Sequence, residues 1–240
     1  MRTFIVSLIC IALFASCSSS RKAQAPSGTS QAPSTYSQQL SENAASISKD
    51  KAKKLRKDGW YEETAAPPIE YQLMRSMLIE SAVDENGNPK YLAASARVLA
   101  RTPANAVQAS IEIAKLTIAG YIQSHIMGLV NSDLSNKQIS MKEAESINKS
   151  ISVYKNVIAQ SLNLERPVAV FYRNVGNDRI EADVRLAYCP SEHIQSVRET
   201  VVTKLEQDTN LTREELDKIF RMDRFQNIAP ITGTDANSGN

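Results

Sequence analysis

Apolar residues from Phe4 to Ala15 form one almost unbroken run, and nothing later in the chain matches it. Residues 18 to about 45 then become rich in Ser, Gln, Ala and Pro, with almost no large aliphatic side chains. Such a stretch cannot bury enough apolar area to offset its ordering entropy, so its composition predicts a flexible connector. From Lys49 the pattern turns amphipathic. Lys49 to Asp58 reads as a short basic helix, with Gly59 placed for its C-cap and Trp60 for the hydrophobic contact beyond it. Pro67 and Pro68 open a second helix carrying Ile69, Leu73, Met77 and Leu78, and Asn86-Gly87-Asn88-Pro89 is a turn.

Tyr91 to Ala100 fits two periods at once. Leu92, Ala94, Ala96, Val98 and Ala100 alternate as in a half-buried strand, while Leu92, Ala96 and Leu99 also suit a helix. Thr102-Pro103 starts a long helix, with threonine at the N-cap and proline in the first turn. Its stripe runs Val107, Ile111, Ala114, Ile118, Ile122, and the pattern fails around Gly128 to Asn136. Ser140 and Glu143 have capping-box spacing before a second long helix bearing Ala144, Ile147, Ile151, Tyr154 and Ile158. The two stripes are expected to pair. Ile113, Leu116, Val153 and Val157 lie off them, so a second surface is expected to cover these residues.

Alternation is clearest further on. Val168, Val170 and Tyr172 alternate within Pro167 to Arg173. From Arg179 to Tyr188, Ile180, Ala182, Val184, Leu186 and Tyr188 are expected inward, and Glu181, Asp183 and Arg185 outward. Asn174 to Asp178 supplies the connecting loop of a hairpin. Two helices follow, about Ser191 to Gln207 and Thr212 to Arg224, the second opened by a Thr212/Glu215 capping box. The predicted organisation is one α+β domain over residues 46–228 and a disordered tail over 229–240.

Processing explains the first block. Met1-Arg2-Thr3 is a short basic segment ahead of the apolar run. The run is too short for a stable helix across roughly 30 Å of bilayer, and fits the core of a signal peptide over residues 1–16. Phe14-Ala15-Ser16-Cys17 resembles the lipobox, in which diacylglycerol is added to the cysteine thiol before cleavage. The motif commonly has leucine three residues ahead of the cysteine; here Phe14 holds that place and Leu13 precedes it. The simpler alternative is an ordinary signal cut at Ala15 or Ser16. Each buried methylene contributes roughly 0.8 kcal/mol, so two or three acyl chains on Cys17 would hold the chain on a membrane. Ser18, where an aspartate would retain a lipoprotein at the inner membrane, implies the outer membrane, and Ser19-Ser20-Arg21-Lys22 has no acidic cluster resembling a surface-export tag. The domain is therefore expected to face the periplasm.

Cysteine and charge agree with this reading. Cys10 would leave with the signal and Cys17 would carry lipid, so Cys189 remains without an intramolecular partner and is expected to be buried. Of 28 basic and 26 acidic side chains, only Arg2 lies in the signal, so the remainder is close to neutral. That speaks against a nucleic-acid partner, which needs a concentrated basic face.

The order strand, long helix, helix, hairpin, helix over residues 89–200 resembles the twenty-kilodalton outer-membrane lipoprotein family. The stretches that carry the likeness are Tyr91-Leu92-Ala93-Ala94-Ser95-Ala96, the Ala/Ile-spaced helix from Pro103, and Arg179-Ile180-Glu181-Ala182-Asp183-Val184. The resemblance implies a strand for Tyr91 to Ala100 and an envelope lipoprotein, and it carries no active site with it. Ala94 and Ala96 stand where that family often has glycine, and the flanking helices are additional.

Candidate chemistry is sparse. Lys49, Lys51, Lys53, Lys54, Arg56 and Lys57 could meet anionic headgroups, each contributing on the order of 1 kcal/mol; the simpler reading is a solvated helix face over Ala52 and Leu55. His125 lies beside the long-helix stripe without a second ligand at metal spacing, as a hydrogen-bonded histidine would. Ser191-Glu192-His193 has hydrolase residue types, but neighbours in one helical turn diverge, and Ser191 suits an N-cap. Asp178, Glu181 and Asp183 read as solvated charges, some paired with Arg179 or Arg185, rather than calcium ligands. No cofactor, metal site or catalytic set is expected, only lipidation at Cys17. These readings favour a membrane-anchored, non-enzymatic assembly or scaffolding protein, with an envelope partner or a second copy of itself. The alternative is a carrier of a small apolar ligand or lipid, held in a groove lined by Ile111, Ile118, Ile122 and Val170.

Overall fold

Alternating side chains through residues 169–188 form the antiparallel pair at the centre of a four-stranded sheet. The computed structural model describes residues 33–164 and 166–228, with side chains from residue 41 onward. The chain runs α1 (Pro33–Lys57), β1 (Trp60–Tyr61), α2 (Ile69–Glu80), β2 (Leu92–Ala100), α3 (Pro103–Ser135), α4 (Met141–Ser152), α5 (Lys155–Ser161), β3 (Ala169–Asn174), β4 (Ile180–Tyr188), α6 (Pro190–Asp208), α7 (Arg213–Ile219) and α8 (Met222–Phe225). The expected mixed α+β fold is therefore present. Strand order is β1-β3-β4-β2, antiparallel throughout, and the loop between β3 and β4 turns through Gly176, Asn177 and Asp178 at positive φ. The signal and lipidation expectations over residues 1–17, and the tail over 229–240, lie outside the described residues.

The sheet carries helices on both faces. Paired residues in an antiparallel ladder point the same way, so Leu92, Ala94 and Ala96 share one face with Tyr188, Leu186 and Val184. That face packs on α3, whose Ala114, Ile118, Ile122, Ile126 and Val130 are fully buried, and α4 to α8 complete this larger core. Ser110 of α3 donates to the Ala182 carbonyl at 3.1 Å, tying the helix to the strand. On the opposite face a smaller core joins Trp60, Ala169 and Phe171 to Ile69 and Leu73 of α2 and Ala52 of α1. No helix among the described residues is long and apolar enough to cross a membrane.

Four expectations are corrected. Helix α1 begins at Pro33 rather than Lys49, so residues 33–45 are helical although their composition suggested a connector. Ala44, Ser48 and Ala52, spaced by four, are buried on its inner side, and small side chains allow close approach to α2 without large aliphatics. The face bearing Glu181, Asp183 and Arg185 is not the solvent face, because α1 and α2 cover part of it and Asp183 is buried. The helix from Met141 breaks at Val153 and Tyr154, where i→i+3 bonds replace the helical pattern and the Ile151 carbonyl accepts from both the Tyr154 amide and Gln123, the latter at 2.6 Å. The expected last helix likewise divides into α7 and α8, with the Arg198 guanidinium bonded to the Phe220 carbonyl at the break.

The predicted second cover for off-stripe apolar residues is partial. Leu116 and Val157 pack against the larger core, whereas Ile113 and Val153 remain exposed.

Candidate functional site

The densest polar cluster lies between the sheet and the α1–α2 layer. Trp60 is buried between two guanidinium groups, Arg173 at 4.9 Å and Arg97 at 5.1 Å from its ring centroid. Arg97 Nε donates to Asp183 Oδ2 at 2.7 Å, and Arg173 Nη2 donates to Glu181 Oε2 at 2.5 Å. Adjacent ladder positions place these groups together, since Arg97 pairs with Asp183 and Arg173 with Glu181 across the strands. Arg185 reaches Ser76 at 3.2 Å and Glu80 at 3.7 Å on α2. Gln72 of α2 accepts from the Val170 amide at 2.8 Å and donates to the Pro67 carbonyl at 2.7 Å. Each charge has an opposite partner on another element, while Asp183 Oδ1 and Arg185 Nε are buried without a hydrogen bond. The arrangement can hold a layer in register; it presents no convergent pair of unmatched acids or bases.

The sequence singled out Asp178, Glu181 and Asp183 as one group, but the structure separates their roles. Asp178 sits in the hairpin loop, while Glu181 and Asp183 pair with Arg173 and Arg97 instead of the expected Arg179 or Arg185. Their arginine partners lie on other strands, which local sequence reading does not reach. Equal strand parity of Arg97 and Arg173 with the acids was the available signal.

A second polar region is a cleft of about 740 Å³ between the C-terminal end of α3 and the starts of α4, α7 and α8. Asp133, buried on α3, accepts from Arg224 at 2.7 Å and 3.0 Å. The carboxylate in turn pushes the guanidinium pKa above its ordinary value. Glu143 and Glu215 also line the cleft, and both complete the capping boxes of their helices with Ser140 and Thr212. Those hydrogen bonds hold both carboxyls below the usual glutamate range.

His125 stands behind this cleft, its Nε2–H donating to the Arg224 carbonyl at 3.1 Å. Burial is the main cause of a pKa below the ordinary histidine value, and the Arg224 charge adds to it. The unfolded chain then binds a proton more readily than the folded one. Stability from this group is fully present above about pH 6.5, the unfolded value, and declines as pH falls from there toward the lower folded value. In urea titrations, the wild-type chain should lose stability across that window, and His125→Gln should lose less. An equal decline in the variant would assign the pH effect elsewhere.

Cys189 is buried and free, as its solitary place in the sequence predicts. Its Sγ lies 3.3 Å from Ser191 Oγ, and a cleft of about 290 Å³ beside it is lined by Arg75, Arg166, Glu192 and His193. Ser191 does not cap the helix: Cys189 occupies the N-cap and Pro190 the first turn, so Ser191 lies one step inside. Ser191 and Glu192 are exposed, and His193 Nε2 stands 3.7 Å from the Glu192 carboxylate, beside the Tyr188 ring. No hydrogen bond joins Ser191 to His193 among the described residues.

On α1, Lys49, Lys51, Lys53, Lys54 and Lys57 are exposed while Ala52 is buried and Leu55 half-buried. Arg56 leaves that group to bind Glu62 and Glu70, each at 2.8 Å. Of the four residues expected to line an apolar groove, Ile118 and Ile122 are fully buried in the larger core, with Ile111 and Val170 packed against it. No group of three or more metal-ligating side chains occurs among the described residues. Comparison with protein-family models, with curated proteins and with solved structures finds no match to the chain.

Proposed function

We propose that the chain is an envelope lipoprotein, resembling the twenty-kilodalton outer-membrane lipoprotein family, and that its domain assembles or scaffolds rather than catalyses. Phe14-Ala15-Ser16-Cys17 after an apolar run carries the anchor part of this reading, and Ser18 favours the outer membrane with the domain in the periplasm. One structural observation favours the scaffolding part. The titratable side chains singled out above are largely occupied in joining elements: Asp183 with Arg97, Glu181 with Arg173, Asp133 with Arg224, His125 with a backbone carbonyl. Groups used in this way stabilise a rigid platform, and reaction chemistry would have to draw on others.

Mass spectrometry of the protein from washed envelopes tests the anchor. The expected N-terminal peptide begins at Cys17 and carries a diacylglyceryl group. A mature terminus at another residue, or an unmodified Cys17, would reject the anchor. Crosslinking in intact cells tests the interaction role, with Cys17→Ala as control. A partner set that depends on Cys17 is expected, and background recovery alone would count against scaffolding.

A further inference from the structure

We propose that the outer edge of β2 is a self-pairing surface, and that two copies of this chain join through it in an antiparallel ladder centred on Ala96. Strand β2 ends the sheet and is bonded only to β4. Among the described residues, no hydrogen bond other than those to β4 involves the backbone of Leu92–Ala100. An open edge offers a row of unpaired amides and carbonyls, and proteins ordinarily blunt it with charged side chains, proline or a bulge. This one has no proline and no bulge, and a single charge. Its sequence is Leu-Ala-Ala-Ser-Ala-Arg-Val-Leu-Ala, and its pairing with β4 is continuous across all nine residues. The one charge, Arg97, is drawn to Asp183 and the Trp60 ring.

Side-chain size along the strand complements itself about Ala96, and the one charge faces a serine. In a two-fold ladder centred there, Leu92 faces Ala100 of the second copy, Ala93 faces Leu99, Ala94 faces Val98, and Ser95 faces Arg97. Every larger side chain meets a small one. Leu99, 39% exposed in the single chain, would gain cover over Ala93. Neighbouring registers are worse. A one-residue slip sets the two faces of the sheet against each other. Centring on Arg97 brings two arginines directly opposite, and centring on Ser95 sets Leu99 and Ala100 against Tyr91 and Lys90, outside the strand. The matching two-fold arrangement is also the commonest symmetry among homodimers. This inference names the partner that the scaffolding reading leaves open. It concerns neither the signal nor Cys17, so its failure would leave the anchor standing.

Sedimentation equilibrium of the chain from Ser18 to Asn240, which contains every described residue, tests it with two variants at an exposed position. A dimer is expected for the wild-type sequence. Ser95→Lys sets a lysine opposite Arg97 twice by symmetry, and should raise the dimer dissociation constant about tenfold; Ser95→Glu, which also faces Arg185 of its own chain, should lower it by a smaller factor, about threefold. Circular dichroism of both variants checks that the fold is retained. A chain that stays monomeric into the millimolar range would overturn the proposal and leave the edge to a different partner. A dimer indifferent to both charges would overturn it too, placing the contact elsewhere.

Discussion

Phe171→Ala is expected to lower the unfolding free energy by about 3–5 kcal/mol, the usual result of emptying a buried phenylalanine site. The ring is fully buried and packs with Trp60, Ile69, Leu73 and Ala169 in the smaller core. That core has few members, so there is little to collapse into the cavity, and the loss falls on the attachment of α1 and α2 to the sheet. Trp60, the sole tryptophan, reports on this layer directly. Urea unfolding followed by its emission should move to lower denaturant, ahead of the main part of the far-ultraviolet circular dichroism change, to which α3 to α6 contribute more helix than α1 and α2. Met141→Ala, at an exposed position, should stay within about 0.5 kcal/mol of wild type. Coincident shifts of both probes in Phe171→Ala would show instead that the two cores unfold as one.

Arg224→Ala should cost about 3–5 kcal/mol by a different route. Asp133 has 3% of its side chain exposed, and the guanidinium provides its two close contacts. Removing one partner of such a pair leaves a desolvated carboxylate, which costs far more than the pair contributes. Asp133→Ala combined with Arg224→Ala should therefore be less damaging than the sum of the single changes. Thermal unfolding of the three variants measures the coupling. Additive losses would mean that the carboxylate finds water in the neighbouring cleft.

Local pattern carried the elements well and their partners poorly. The alternation in Ile180 to Tyr188 and the capping boxes at Ser140 and Thr212 depend on neighbours in sequence, and these features are present. Burial of Cys189 was legible from the cysteine count, which leaves it without a partner. The α1–α2 layer was not. Packing of Ala52 was expected, but Ala44 lies in the stretch that composition reads as connector, and the layer's value depends on Ala169 and Phe171 of β3, more than a hundred residues away. Strand β1 is two residues long and carries no periodicity at all. The outward assignment of Asp183 followed the usual rule for a half-buried hairpin, and fails because this sheet is covered on both faces. The pairings Arg97–Asp183 and Asp133–Arg224 span 86 and 91 residues, and a single sequence offers no covariation to reveal them. The largest expected site, lipid on Cys17, rests on sequence alone.

The early start of α1 sets a length. Between Cys17 and Pro33 lie sixteen steps of chain (33 − 17), and a fully extended chain spans at most about 3.6 Å per residue, roughly 58 Å in all. Had the connector run to residue 45, twenty-eight steps would have allowed about 100 Å. Residues 33–45, as helix, add only about 18 Å more, so on the lipid-anchor reading the greatest reach from Cys17 to residue 45 is about three-quarters of what composition suggests. On that same reading the domain would stay in a shell within that distance of its membrane, where lateral diffusion in the bilayer, rather than reach into the solvent, would decide which molecules it meets. Two anchored copies confined to that shell also encounter each other in two dimensions, so a weak edge-to-edge affinity would be amplified by the surface that holds them.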